Sequence, residues 1–236
     1  SHLEGASRED LADVAYSLNI GRKVLDYRAT VVCSDVDEAR EALEGRSQSS
    51  ALSGRIGAGR RTVGWLFPGQ GAQHLGMGRE LFAQEPAFRD AVDTCLTILK
   101  GRQELDLGPL FRDPATGGFT EDDIAQTRLA QPYIFVFEYA LGRQLMAWGA
   151  RPAYAMGHSV GEFAAACLAG VFTLEDALML VTLRGALMQA QAPGAMLSVA
   201  APADAFDLPA GLDIAALNGP RQTVDSGPFA AIETFA

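Results

Sequence analysis

The sequence is short of histidine, of cysteine and of positive charge. Its three cysteines, Cys33, Cys95 and Cys167, stand far apart and form no C-x-x-C pair. That argues against a disulfide framework and a zinc site, and for free thiols in a reducing compartment. Nineteen Lys and Arg stand against 29 Asp and Glu, a formal net charge of −10, which makes nucleic acid a poor partner. A small anionic substrate held by one placed arginine remains compatible with that balance. No apolar run reaches the length of a bilayer span and no signal peptide opens the sequence, so no membrane is expected as a partner and the expected compartment is the cytoplasm. Ser1-His2 reads as a cloning remnant, and His2 is given no role. That leaves His74 and His158, and no histidine follows Ser159.

What is present is the material of a core. Of 236 residues, 48% are hydrophobic and 25 are glycine, as in a globular enzyme with many turns. Residues 3–45 read helix, strand, helix. "SREDLADVAYSLNIG" opens on a capping signal, Ser7 with Asp10, ahead of Leu11, Val14, Ala15 and Leu18. "YRATVVCSD" is β-rich, and "VDEAREALEG" is a helix closed by Gly45. Residues 46–60 are rich in Ser, Gly and Arg, lack periodicity and read as a connector. Gly57-Ala58-Gly59 follows a loop and has Thr62 where a third glycine would stand, so it is not read as a dinucleotide-binding loop.

Residues 61–194 alternate strand-like and helix-like runs. "TVGWLF" reads as a buried strand and "PAYAM" as a short one. Helices are expected over "GMGRELFAQ", "PAFRDAVDTCLTILKG", "QPYIFVFEYALGRQLMAWG", "GEFAAACLAG" and "TLEDALMLVTLRGALMQAQ", the last capped by Thr173 with Asp176 three residues on. Such alternation implies a parallel sheet covered by helices on both faces. Residues 195–236 read strand, linker, strand, strand, helix, most of a split βαβ unit without its last strand. Domain boundaries are therefore expected at 3–60, 61–194 and 195–236.

Two motifs carry chemistry. In Gly157-His158-Ser159-Val160-Gly161 a serine sits between an expected strand and an expected helix, the context of a nucleophile elbow. The helix start supplies backbone N–H groups that can stabilise an oxyanion. Phe67-Pro68-Gly69-Gln70-Gly71-Ala72-Gln73 follows the first strand. It reads equally well as a plain Pro-Gly turn or as a ligand-holding loop at the carboxyl end of a strand.

"FPGQGAQ" and "GHSVGE" together resemble the acyltransferase domain of polyketide and fatty acid synthases, a family that includes malonyl-CoA:acyl-carrier-protein transacylases. The resemblance runs from about Thr62 to the last residue. Residues 3–60, with "LADVAYSLNIGRKVLDYRATVV", resemble the ketosynthase–acyltransferase linker of modular polyketide synthases. The fold implied is α/β, with an α/β-hydrolase-like large subdomain, a partial ferredoxin-like small subdomain and a small α/β linker region before them. The resemblance implies that Ser159 is acylated by a CoA thioester and then deacylated by the phosphopantetheine thiol of an acyl carrier protein. It gives the oxyanion hole to the N–H groups of Gln70 and Val160. Arg184 matches the arginine that pairs with the free carboxylate of a malonyl group, a task suited to a bidentate and always charged side chain. Met188, one turn on, would line the pocket. Gln126-Thr127-Arg128-Leu129-Ala130-Gln131-Pro132 resembles the T-x-x-A-Q pattern of malonyl-using members, with Gln131 as the pocket glutamine. Val160 beside the nucleophile also resembles the malonyl type. One methyl changes pocket binding by about 1–3 kcal/mol, so leakage to methylmalonyl is expected. No permanently bound cofactor is implied; malonyl-CoA enters as substrate, and the implied partners are a carrier protein and a ketosynthase domain.

The family's general base is a histidine of a later segment, and the resemblance assigns it to no residue of this sequence. His74 is a poor substitute, and His158 is read as a pocket or structural residue. Either the base lies outside the chain given, which would then turn over slowly by itself, or the protein is a truncated and inactive acyltransferase. Asp225, in "TVDSG", stands where the family usually has an apolar residue, and is expected at an edge or facing water. Two other functions compete. A serine hydrolase would use the same elbow but has no use for a buried cation. A non-enzymatic docking piece would need neither Ser159 nor Arg184.

Overall fold

The computed structural model describes residue 3 and residues 7–46, 51–57, 62–103 and 105–236. His2, Ala58 and Gly59 lie outside the described residues, and with them the expectations placed on them. The chain divides into two compact units, Ser1–Arg61 and Thr62–Ala236.

In the first unit, helix α1 (Arg8–Ile20) starts on the expected capping box. The Ser7 hydroxyl accepts from the Asp10 N–H and the Asp10 carboxylate accepts from the Ser7 N–H. Strand β1 (Tyr27–Val31) and helix α2 (Val36–Leu43) follow, and the chain leaves α2 through Gly45 at φ +72°. The expected connector contains a further strand, β2 (Ala51–Arg55), antiparallel to β1 with Tyr27 opposite Arg55. "ALSGR" has no alternation of its own. Its backbone is ordered by the ladder that β1 offers, from Val31 opposite Ala51 to Tyr27 opposite Arg55, a partner distant in sequence.

The second unit begins with strand β3 (Gly64–Phe67) and then helices α3 (Arg79–Gln84), α4 (Pro86–Gln103), α5 (Gly108–Arg112), α6 (Pro114–Gly117), α7 (Glu121–Ala125) and α8 (Thr127–Ala147). Strand β4 (Tyr154–Gly157), helix α9 (Gly161–Leu168) and helix α10 (Leu174–Gln189) complete the larger part. The core centres on α8, which is buried almost continuously from Leu129 to Ala140. Against it α4 lays Phe88, Val92, Cys95 and Leu99, all fully buried and spaced at helical period. Gln144 of α8 accepts from the Phe88 N–H at 2.9 Å, satisfying an orphan donor in the first turn of α4.

β3 and β4 are parallel, with Leu66 opposite Met156 and Phe67 opposite Gly157. Among the described residues the sheet has these two strands, and it is not covered on both sides as expected. Helix α9 packs on the face that holds Phe67 and Gly157, whereas Leu66 and Met156 on the other are 72% and 60% exposed. "TVGWLF" is thus a half-covered strand, since hydrophobicity alone does not state how many layers pack on it.

The smaller part is an antiparallel sheet in the order β5 (Ala195–Val199), β7 (Gln222–Gly227), β6 (Asp213–Gly219), followed by α11 (Phe229–Phe235). Here Asp225 contradicts its expected place. It lies on the central strand, between Leu197 and Ile214, and is 0% exposed. With period-two alternation, one choice of inward residue fixes all the others. Thr223 and Asp225 face in, while Val224 is only half-buried.

A cavity of about 390 Å³ lies between β3 and α8, lined by Trp65, Leu66, Phe67, Ile134, Leu141 and Leu145. Glu138 is 5% exposed in its wall, and neither carboxylate oxygen has a hydrogen-bond partner among the described residues. Burial raises its pKa from the ordinary 4.5 to about 8. The folded chain therefore binds this proton more tightly than the unfolded chain. The stability it contributes is full below pH 4.5 and is lost as pH rises to about 8. Glu138→Gln is expected to match the parent at pH 4 and to exceed it increasingly above, by up to about 1.4 kcal/mol per pH unit in urea denaturation.

Candidate active site

The turn from β4 into α9 carries Ser159. It has φ +54°, the only non-glycine residue with positive φ among those described. A left-handed serine costs of order 1–3 kcal/mol, held here by what surrounds it. Both flanking glycines are required by close approach. A Cβ on Gly157 would run into the backbone of Gly161 and Glu162, and one on Gly161 into the Phe67 carbonyl and, at 2.6 Å, the Pro68 carbonyl. The two sequence motifs are therefore packed backbone to backbone. The His158 N–H donates to the Phe67 carbonyl at 2.9 Å, and a Cβ on Gly69 would lie 2.8 Å from His158 Nδ1.

In the two turns the N–H groups of Gly69, Gln70, Ser159 and Val160 have no acceptor among the described residues. Val160 itself is fully buried in the core. The Gln70 side chain donates to Thr127 Oγ1 at 3.3 Å and to the Ala125 carbonyl at 3.4 Å. That ties the glycine-rich loop to the start of α8.

Arg184 reaches the serine from α10. One guanidinium N–H donates to Gln131 Oε1 at 2.6 Å and another to Ser159 Oγ at 3.1 Å. Gln131, 1% exposed on α8, donates in turn to the Met188 sulfur at 3.2 Å. Gly185 permits this approach of α10 to α8, since a Cβ there would lie 2.9 Å from the Thr127 carbonyl. Gln131, Ser159, Arg184 and Met188, spread over 58 positions of sequence, thus form one continuous hydrogen-bonded chain. No acidic side chain pairs with Arg184 among the described residues. A cation with neutral partners, beside an exposed hydroxyl, is an arrangement suited to an acyl group that carries a negative charge.

The histidines stand apart from that chain. His158 Nε2 lies 3.2 Å from Asn218 Oδ1 on β6, linking the serine turn to the smaller sheet. His74 Nδ1 faces the Leu75 carbonyl at 3.2 Å. The hydrogen-bond partner of Ser159 Oγ is Arg184 and not a histidine. Asn218 was not legible as a site residue, because it only ends the short strand-like run "LDIAALN". Phe163 was not either; its ring lies under the Arg184 guanidinium, 5.9 Å from centroid to Cζ. No cluster of three or more His, Cys, Asp or Glu able to hold a metal ion occurs among the described residues. Their three cysteines are free, and no helix among them is long and apolar enough to cross a membrane.

Gly161→Ala is expected to lower stability by about 2 kcal/mol or more, because its obstacles are backbone atoms that cannot rotate away. Urea denaturation followed by circular dichroism measures this.

A family model described as "Acyl transferase domain" matches residues 64–236, and one described as "CurL-like, PKS C-terminal" matches residues 1–43. The chain is 42% identical over 246 aligned residues to the mycoketide-CoA synthase of Mycobacterium tuberculosis, covering 100% of this chain and 6% of that protein. Among solved structures it is similar to the acyl transferase domain of ZmaA, with TM-score 0.81, 36% identity, and coverage of 95% of this chain and 54% of that one. It is also similar to the acyl transferase domain of SpnD in complex with 2-(pent-4-yn-1-yl)malonyl, with TM-score 0.75, 37% identity, and coverage of 99% and 55%. The chain thus spans a small fraction of the synthase and about half of each solved domain.

Proposed function

The chain belongs to the acyl transferase domain family, and from that premise we propose that it carries a malonyl extender unit from CoA to the phosphopantetheine thiol of an acyl carrier protein, through an acyl-Ser159 intermediate. Ser159 Oγ attacks the thioester carbonyl, and the hydroxyl proton leaves to a base that is assigned to no described residue. The oxyanion is received by the N–H groups of Gln70 and Val160. Collapse expels the CoA thiolate, which takes up a proton, and the carrier thiol reverses the sequence to free the serine. Arg184 turns its guanidinium from Ser159 Oγ to the malonyl carboxylate, with Gln131 holding its other edge. His158 and Met188 line the same pocket.

The observation that carries this reading is the chain from Gln131 through Arg184 to Ser159, with no acid among the described residues to neutralise the arginine. Malonyl is preferred to methylmalonyl through Thr127 and Gln131 of the T-x-x-A-Q segment. The buried Val160 side chain can act on that choice only indirectly. The SpnD domain's substituted malonyl supports a dicarboxylic acyl class. We read the larger part of the second unit as α/β-hydrolase-like, the smaller as part of a ferredoxin-like subdomain, and the first unit as a linker to a ketosynthase domain.

Intact-protein mass spectrometry tests the proposal. Malonyl-CoA is expected to add one malonyl group to the parent and none to Ser159→Ala. Arg184→Ala is expected to slow malonylation about a hundredfold relative to acetylation by acetyl-CoA. Equal use of both donors by the parent, or an adduct on another residue, would overturn it.

A further inference from the structure

Arginine side chains are long and rotamer-rich, and an unpaired guanidinium next to water has no reason to keep one orientation. Arg184 sits on an exposed stretch of α10, where Leu183 and Leu187 are more than half exposed. Its two hydrogen bonds, to Gln131 and Ser159, fix two edges of the guanidinium plane. One of them must break when an acyl group occupies Ser159. Something else has to hold the plane at that moment.

We infer that Phe163 is the positioning residue that does so, acting as a platform under the guanidinium. Its ring faces Arg184 Cζ at 5.9 Å, within the range of a cation–π attraction. The ring is itself immobilised. It stacks on Phe172 with centroids 6.3 Å apart and planes at 18°, and both rings pack against the buried core. The placement couples the two helices that matter. Phe163 lies in the first turn of α9, four residues from the nucleophile, so the ring is held to the same rigid turn as Ser159. Phe172 directly precedes Thr173, whose hydroxyl caps α10 by accepting from the Asp176 N–H at 3.1 Å. The stack therefore joins the helix carrying Arg184 to the turn carrying Ser159. An aromatic face attracts the cation without occupying its N–H donors, which stay free for a carboxylate. A leucine could fill the volume but could not orient the plane.

This inference rests on the malonyl reading of the site. The experiment compares malonyl-CoA and acetyl-CoA as donors in single-turnover acylation of Ser159, for Phe163→Leu, Phe163→Tyr, Phe172→Leu and Arg184→Ala, each checked by circular dichroism. Phe163→Leu is expected to lower the malonyl-to-acetyl ratio of acylation efficiency about tenfold, chiefly by raising the malonyl-CoA concentration for half-maximal rate. Phe163→Tyr keeps the ring and is expected to restore the ratio. Phe172→Leu loosens the ring without removing it and is expected to fall between. If Phe163→Leu depresses both donors equally, or if Phe163→Tyr is as impaired as Phe163→Leu, the ring only packs and the inference fails. Should Phe163→Leu not fold, an unchanged ratio in Phe172→Leu overturns the inference instead. If Arg184→Ala leaves the ratio unchanged, it is the malonyl reading that fails.

Discussion

The packing of two turns against each other, backbone on backbone, is the constraint on which the site depends. Residues 157–161 and residues 67–69 approach so closely that glycine alone fits at Gly157 and Gly161. That contact holds Ser159 in a left-handed conformation and keeps its hydroxyl outside the core. The N–H groups of Gln70 and Val160, one in each turn, have no acceptor among the described residues. The strain at Ser159 is tolerable because β4 on one side and α9 on the other leave the turn no alternative path.

From that turn the rest of the site is assembled by helix packing. α8 supplies Gln131 from a fully buried face, and α10 supplies Arg184 and Met188. The two helices meet at Gly185, where only a hydrogen atom separates them. Gln70, through Thr127, links the glycine-rich loop to the same end of α8. Asn218 extends the network across to the smaller sheet. Among the described residues the hydrogen-bond partners of Arg184 are neutral.

The elements near the site were largely legible. Thr173 caps α10 where its side-chain chemistry requires, and the serine turn lies between a strand and a helix. Failures came where a residue's fate depends on distant chain. Asp225 was expected outside and lies inside, because alternation gives two faces but not which one is covered. β2 was invisible because its five residues are a strand only in the presence of β1. "TVGWLF" looked buried, yet Leu66 is exposed, because its partners cover one face alone. Phe163 was only part of an expected helix, and its ring both packs against the core and meets a cation.

What the sequence determined by itself is local: helix starts, glycine spacings, a serine between a strand and a helix, and an arginine 25 residues later. These follow from sterics and hydrogen bonding within a few residues, which neighbours along the chain dictate. Only the tertiary structure decided that Arg184 meets Ser159 and Gln131, that Val160 is fully buried, and that Asp225 faces inward. Each of those depends on which surfaces lose water together. That is a property of residues far apart in sequence, and no local pattern encodes it.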